Sequence, residues 1–449
     1  MRELLADFLD RALRYIDSRD SRRVAPPVEA LNRLGLLDEP LPEDPTDPRI
    51  VLRMLDEIGS PATVASAGGR YFGFVTGGAL PAALAANLMA GIWDQNAGYR
   101  VQSPVAATIE DVCLKWLRQV LSLPACAGGG FVTGATMANF AALAAARRAV
   151  SLKAGWNVEE DGLIGAPPIR VVVGDEVHAS LLKALSLLGL GRARVERAPV
   201  DGQGRMRADS LPDFSGATIV CIQAGNVNTG AFDPAREVCA AAHDAGAWVH
   251  VDGAFGLWAA ASPRLAHLTA GIADADSWAT DAHKWLNAPY DNGIVFVREA
   301  EHLRAAMTVG AAYLIAGVER EPSHYTPDMS RRARGVEIWA ALRSLGRAGL
   351  ADLIERSCRH AARFAEGLRA AGYEILNDVT LNQVLVSFGD DETTRRVIEA
   401  VQADGTCWLG GTVWQGRAAM RISVSSWSTT ENDVERSLDA IIRIASRNN

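Results

Sequence analysis

From about residue 105 onward, short runs of β-branched and apolar residues alternate with longer stretches whose apolar positions recur at helical spacing. The runs are Arg170–Val173, Ala193–Ala198, Thr218–Gln223, Trp248–Val251, Ser277–Thr280 and Gly293–Val297. Some, such as Ile219-Val220-Cys221-Ile222, are apolar at every position, which suits strands covered on both faces. Strands alternating with helices form βαβ units and a largely parallel sheet. Ahead of them Ile109–Leu121 reads as a helix. Gly128-Gly129-Gly130-Phe131-Val132 then leads into Thr133-Gly134-Ala135-Thr136, and an Ala-rich helix runs from about Met137 to Val150. The expected class is α/β.

The two ends of the chain break this rhythm. Residues 1 to about 20 look helical, and Pro26, Pro27, Pro40, Pro42, Pro45 and Pro48 punctuate an extended, acidic connector. A short helix follows around Ile50–Ile58. This opening has little core of its own, so it is expected to pack on a partner subunit or on the body of the fold. After Glu299 a loop-rich stretch, Thr308 to Arg332, precedes helices near Gly335–Leu345 and Leu350–Ala371. Strands near Gln383–Phe388 and Ala419–Val424, with helices near Thr393–Ala403 and Glu431–Ser446, complete an α+β tail. The expected division is therefore 1–60, 61–334 and 335–449, the last being a smaller C-terminal domain.

Composition narrows the class. A chain of 449 residues exceeds one ordinary core. A net charge of −8 lends no electrostatic support to nucleic-acid binding. The six cysteines lie far apart, with no CxxC or Cys/His pattern. They read as reduced thiols of a cytoplasmic protein rather than a disulfide framework or a metal site. The start, Met1-Arg2-Glu3, opens an amphipathic helix and not a signal peptide. No apolar run reaches the length of a membrane span, since Ala79 to Trp93 is broken by Pro81 and Asn87.

One residue then changes the picture. Of 45 basic residues only four are lysines: Lys115, Lys153, Lys183 and Lys284. An ammonium can lose its proton when desolvated and attack a carbonyl, whereas a guanidinium cannot. Lys284 lies between two apolar segments, in Asp281-Ala282-His283-Lys284-Trp285, and reads as a Schiff-base lysine for pyridoxal 5'-phosphate (PLP). Three other pieces fall at the carboxyl ends of expected strands, where open α/β sheets bind ligands. Thr133-Gly134-Ala135-Thr136 opens a helix and presents free N–H groups to an anion. His178 could stack on a planar ring. Asp252, ending a buried strand in His250-Val251-Asp252-Gly253-Ala254, needs a cationic partner such as a protonated pyridine nitrogen. Taken singly, each has a commoner reading: a capped helix, a core histidine, a capping aspartate. Their order along the chain favours the coenzyme.

With these residues in place, the chain resembles the PLP-dependent group II amino acid decarboxylases, the family of aromatic-amino-acid and glutamate decarboxylases. The likeness runs from about residue 55 to 445. It includes Ser103-Pro104, Gly225 through Pro234, Val251-Asp252 and His283-Lys284-Trp285. It implies fold type I, a large PLP domain, a small C-terminal domain and a homodimer with shared active sites. By the resemblance, Lys284 carries PLP, Asp252 pairs with the pyridine nitrogen, and His178 stacks on the ring and meets the substrate carboxylate. Ala135, Thr136 and His283 hold the phosphate, beside Asp281. Asn226 takes the place of a family Thr near the ring, and Ala254 packs beneath it. Phe72, Phe74 and Thr76 match a stretch lining the substrate side chain, Asn96 to Tyr99 reach over from the partner, and Arg421 lies near the substrate carboxylate. The proton-donating loop tyrosine maps to Tyr325, with Tyr313 as second choice.

Asp281 stands where these decarboxylases usually have Asn, and Ala-Thr-Met-Ala replaces the usual phosphate turn. Phe72, Phe74, Tyr99 and Trp414 favour an aromatic or apolar L-amino acid as substrate, giving the amine and carbon dioxide. An acidic amino acid, or carbon–carbon cleavage of a phosphorylated amino alcohol, which Asp281 favours, stay open. No metal is expected.

Overall fold

The computed structural model describes residues 1–308 and 319–448, and the chain divides into two compact units. One comprises Gly77–Arg359 with Asn377–Gln383, the other Met1–Thr76, His360–Leu376 and Val384–Asn449. Where the sequence pattern places boundaries near 60 and 335, contacts place them after Thr76 and Arg359. The N-terminal segment thus groups with the C-terminal segments.

The larger unit is built on seven strands: β1 Gly128–Val132, β2 Arg170–Gly174, β3 Glu196–Ala198, β4 Thr218–Gln223, β5 Trp248–Asp252, β6 Ser277–Asp281 and β7 Gly293–Val297. Their order is β1-β7-β6-β5-β4-β2-β3. β7 runs antiparallel to β1 and β6, and the other pairs are parallel. β4 to β7 are buried at every position, as their continuous apolar runs require.

Because β7 is reversed, its first residue lies beside the last residues of β1 and β6: Val132 and Asp281 both pair with Gly293. Gly293 is needed there, since a Cβ would stand 2.5 Å from the Gly134 backbone. This close approach sets the start of the helix Ala135–Lys153 against the end of β6. Alanine covers much of that helix, and Ala138, Ala141, Ala142 and Ala145 pack it closely on Val132, Val171, Ile219 and Val295. The helices Ala179–Leu187 and Ala300–Met307 flank it, so it is buried nearly all round.

Behind β1, the helix Pro104–Val120 carries Glu110, a fully buried carboxylate. Arg331 at 3.0 Å and Arg320 at 2.7 Å bind it. Burial pushes its pKa up, but the two guanidiniums outweigh burial and hold it below the usual carboxylate range. The helical stretch Gly335–Ala370 breaks at Gly346, whose φ is 60°, much as the two expected helices with a gap between them foretold.

The smaller unit holds β8 Glu374–Ile375, most of β9 Gln383–Ser387, β10 Gly410–Trp414 and β11 Arg417–Ser423, in the order β10-β11-β9-β8. β10 and β11 form a hairpin through Gln415 and Gly416, both at positive φ, as a tight two-residue hairpin turn demands. The helices Asp391–Asp404 and Glu431–Asn448 pack against each other, and the first of them lies against β11. Among the described residues no helix is long and apolar enough to cross a membrane.

Candidate active site

The carboxyl ends of β1, β2, β4, β5 and β6 share one edge of the sheet, and the candidate residues sit along it. Past β6, the Asp281 carboxylate takes two partners. Its Oδ1 accepts the Ala135 backbone N–H at 2.6 Å, and its Oδ2 receives Lys284 Nζ at 3.1 Å. Asp281 thus caps the start of the helix Ala135–Lys153, where free N–H groups and the positive dipole end favour an anion. His283 lies 3.7 Å from the same carboxylate, and burial lowers its pKa despite that neighbour. Its Nδ1 accepts the Asn292 N–H.

One strand over, the stretch after β5 runs alongside β6: the Asp281 N–H bonds to the Ala254 carbonyl at 2.9 Å, and the Gly253 N–H to the Ala279 carbonyl. Asp252 is buried. Its Oδ1 accepts the Ala254 N–H and its Oδ2 accepts from Asn139 Nδ2 at 3.1 Å. Asn139 stands one turn after Ala135 on the same helix face.

Past β4, Asn226 is 1% exposed and its Oδ1 accepts the N–H groups of Asn228 and Thr229. Its Nδ2 has no partner among the described residues. A buried donor left unpaired costs about 1–3 kcal/mol, so an acceptor at this edge is called for. Past β2, His178 caps the helix Ala179–Leu187, its Nδ1 taking the Ser180 N–H at 3.2 Å and lying 2.7 Å from Ser180 Oγ. That bonding leaves the ring proton on Nε2.

These donors fit PLP: an amine past one strand, an anion ending the next, an orphaned amide past a third, and a helix start for a phosphate. The comparisons agree. The family model "Pyridoxal-dependent decarboxylase conserved domain" matches residues 32–389. The chain belongs to that family. It is a PLP-dependent amino acid decarboxylase of fold type I. Tryptophan decarboxylase 1 of Oryza sativa subsp. japonica is 28% identical over 414 residues, covering 83% of this chain and 79% of the relative. An aromatic-L-amino-acid decarboxylase of Bacillus atrophaeus is 25% identical over 455 residues, covering 96% and 92%. The Oryza sativa TDC solved with PLP and tryptamine has a TM-score of 0.90 at 24% identity, covering 99% of this chain and 97% of that one. Catharanthus roseus tryptophan decarboxylase in complex with L-tryptophan has a TM-score of 0.88 at 21% identity, covering 100% and 98%.

The decarboxylase's other sequence candidates make contacts of their own. Tyr325 does not join the Lys284 group. Arg320 lies over its ring at 4.6 Å, and its backbone and Cβ pack on Gly130 in the body of β1 rather than at the strand end. Tyr313 lies outside the described residues. Asn96 holds the chain at Arg331, its Oδ1 accepting the N–H groups of Gly98 and Arg331. The Tyr99 ring meets His324 edge-on at 6.2 Å.

Phe72, Phe74, Thr76 and Arg421 belong to the smaller unit. Phe72 is 1% exposed and packs edge-on against Phe364. Phe74 is 65% exposed and stacks on Trp408, which stacks in turn on Tyr71. Burial lowers the pKa of Arg421. Asn139 and Gly77 belong to no motif in the sequence. Asn139 is the one amide in an otherwise apolar run, Met137 to Ala146, and that was the available signal.

Proposed function

We propose that the enzyme decarboxylates an aromatic L-amino acid to its amine. The observation that carries this reading is the exposed Phe74 face stacked on Trp408, a surface suited to a planar side chain. The names of the relatives support it: tryptophan, tyrosine and aromatic-L-amino-acid decarboxylases recur among them.

PLP supplies the electron sink for the bond that breaks, and the protein selects that bond. We assign Lys284 Nζ to hold the coenzyme and to move the proton at the substrate Cα. Asp252 would pair with the ring nitrogen. His178 would donate from Nε2 to the substrate carboxylate and stack on the coenzyme ring. The Ala135 and Thr136 end of the helix takes the phosphate, with His283 beside it. Asn226 Nδ2 donates to the coenzyme, and Arg421 serves substrate recognition.

We also assign a cytoplasmic homodimer. The helix Arg2–Ser18 has no buried residue and exposes Leu5, Leu9, Leu13 and Ile16 along one stripe, a face suited to a second copy. Six free cysteines fit a reducing compartment. Sedimentation should give twice the chain mass, and Leu9→Asp with Leu13→Asp should shift it toward the monomer.

The deciding experiment is a panel of amino acids scored for carbon dioxide and amine, with Lys284→Ala as control. Release from tryptophan, tyrosine or phenylalanine that is lost in the control supports the proposal. Release from acidic substrates alone overturns it. Release from none favours carbon–carbon cleavage of a phosphorylated amino alcohol, the reading to which Asp281 points.

A further inference from the structure

Behind Asp252 runs a chain of buried side chains with no assigned role. Asp252 Oδ2 accepts from Asn139 Nδ2 at 3.1 Å, and Asn139 Oδ1 lies 2.9 Å from His250 Nε2. His250 Nδ1 lies 2.9 Å from Ser277 Oγ, which accepts from Trp248 Nε1 at 2.9 Å. Asn139, His250 and Ser277 are wholly buried.

The chemistry of its two ends sets the direction of every bond. The Asp252 carboxylate can only accept, which makes Asn139 Oδ1 the acceptor from His250 Nε2 and leaves Nδ1 of the neutral ring to accept from Ser277, itself the acceptor of the indole N–H, which can only donate. The imidazole proton then sits on Nε2 and points at Asn139 Oδ1. That leaves the Asn139 amide N–H₂ for the carboxylate, which can only accept. Every dipole points its positive end toward Asp252. Such chains polarise one another in a low-dielectric interior.

His250 cannot serve as a charge here. Burial outweighs the pull of Asp252 and lowers its pKa from 6.5 to about 4. The chain therefore stabilises the Asp252 anion by oriented neutral dipoles and leaves no cation behind it to compete with one in front.

We propose that Asn139 and His250 are positioning residues that hold Asp252 as an oriented anion for the ring nitrogen of PLP. The helix that starts at the phosphate end of the site thereby also sets the opposite end, through Ala135 and Asn139 one turn apart. This inference rests on the placement of Asp252 at the ring nitrogen.

The test uses holoenzyme and its apo form in Asp252→Asn, Asn139→Leu, Ser277→Ala and the Asn139→Leu/Ser277→Ala double variant. Three quantities are read: PLP affinity by absorbance titration, the position of the long-wavelength band of bound PLP, and the melting temperature of the apoenzyme. Asn139→Leu should weaken PLP about 10- to 100-fold, the effect of unpairing one buried acceptor, and move the band toward that of Asp252→Asn. Ser277→Ala cuts the chain at its far end without touching Asp252. It should give a smaller shift of the same sign, which keeps the test available if Asn139→Leu does not fold. The double variant should fall short of the sum, as expected for one coupled unit. An Asn139→Leu protein that loses only melting temperature, or strictly additive losses, overturns the proposal. If Asp252→Asn itself leaves band and affinity unchanged, the placement of Asp252 fails and the proposal fails with it.

Discussion

The backbone of Gly77 lies against Lys284: a Cβ on Gly77 would stand 1.7 Å from the Lys284 carbonyl oxygen. Nearby, the Leu80 N–H bonds to the Asn287 carbonyl at 2.8 Å, so the strand of chain around Gly77 is tied to the turn that carries the lysine. No side chain other than hydrogen fits between them. Gly77→Ala must therefore push the Lys284 backbone aside. A displacement of about 1 Å in a reacting group can cost ~100-fold in rate. The variant should fold, bind PLP and show kcat reduced on that order, with substrate KM less affected, in steady-state assays.

Asp281→Asn should separate two quantities that usually move together. The carboxylate caps the helix start at Ala135 and pairs with Lys284, so its loss should lower apoenzyme stability by about 1–2 kcal/mol. With the phosphate at the proposed helix start, the same change removes an anion beside it and should tighten PLP by about tenfold, or ~1.4 kcal/mol. Melting of the apoenzyme and a PLP titration read the two signs independently. A weaker titration would place the phosphate elsewhere.

Acid stability carries the mark of His250. Its pKa is about 4 folded and near 6.5 unfolded, so between those values the unfolded chain binds a proton that the native one refuses. Stability contributed by neutral His250 is whole above pH 6.5 and is lost as pH falls through about 4, to a total of about 3 kcal/mol. Asp233, buried and pushed up to about 6, acts in the opposite sense: below that pH the folded chain holds its proton, and the contribution is lost as pH rises from 3.8 through 6. In urea unfolding, the stability gap between wild type and His250→Gln should therefore narrow steadily from pH 7 to pH 4. A gap independent of pH would mean that His250 titrates normally.

The Glu110 cluster should behave as a buried charge network. Arg331→Met removes the fully buried partner and also the bond from Arg331 to the Phe131 carbonyl. The loss should be about 3 kcal/mol, because Glu110 is left with Arg320 alone. Glu110→Gln combined with Arg331→Met should cost less than Arg331→Met by itself, since no uncompensated charge remains. Thermal unfolding of the single and double variants checks the order.

Much of this was legible along the chain. The strands from Arg170 to Val297 are marked by β-branched runs, because a strand buried on both faces admits little else. Lys284 and Asp252 stand out because an amine and a carboxylate at the ends of such runs have no local reason to be there. The break at Gly346 shows in the Gly-rich gap between two helical patterns. The loop tyrosine is harder to register, because a loop has no period: Tyr325 packs on Gly130, and Tyr313 lies outside the described residues. The burial of Phe72 is not legible, because an aromatic in such a motif looks the same in sequence whether it lines a surface or fills a core.

Local pattern by itself determined the α/β class, the strand ends and the residues there that can do chemistry, because burial periodicity and residue type are written in contiguous stretches. Only the tertiary structure decided which of those residues meet. The reversed β7 brings Asp281 to Ala135 across 146 positions, and Asn139 reaches Asp252 across 113. Such pairings depend on strand order and on the close backbone approach that Gly293 permits at Gly134, and these follow from how the whole sheet packs.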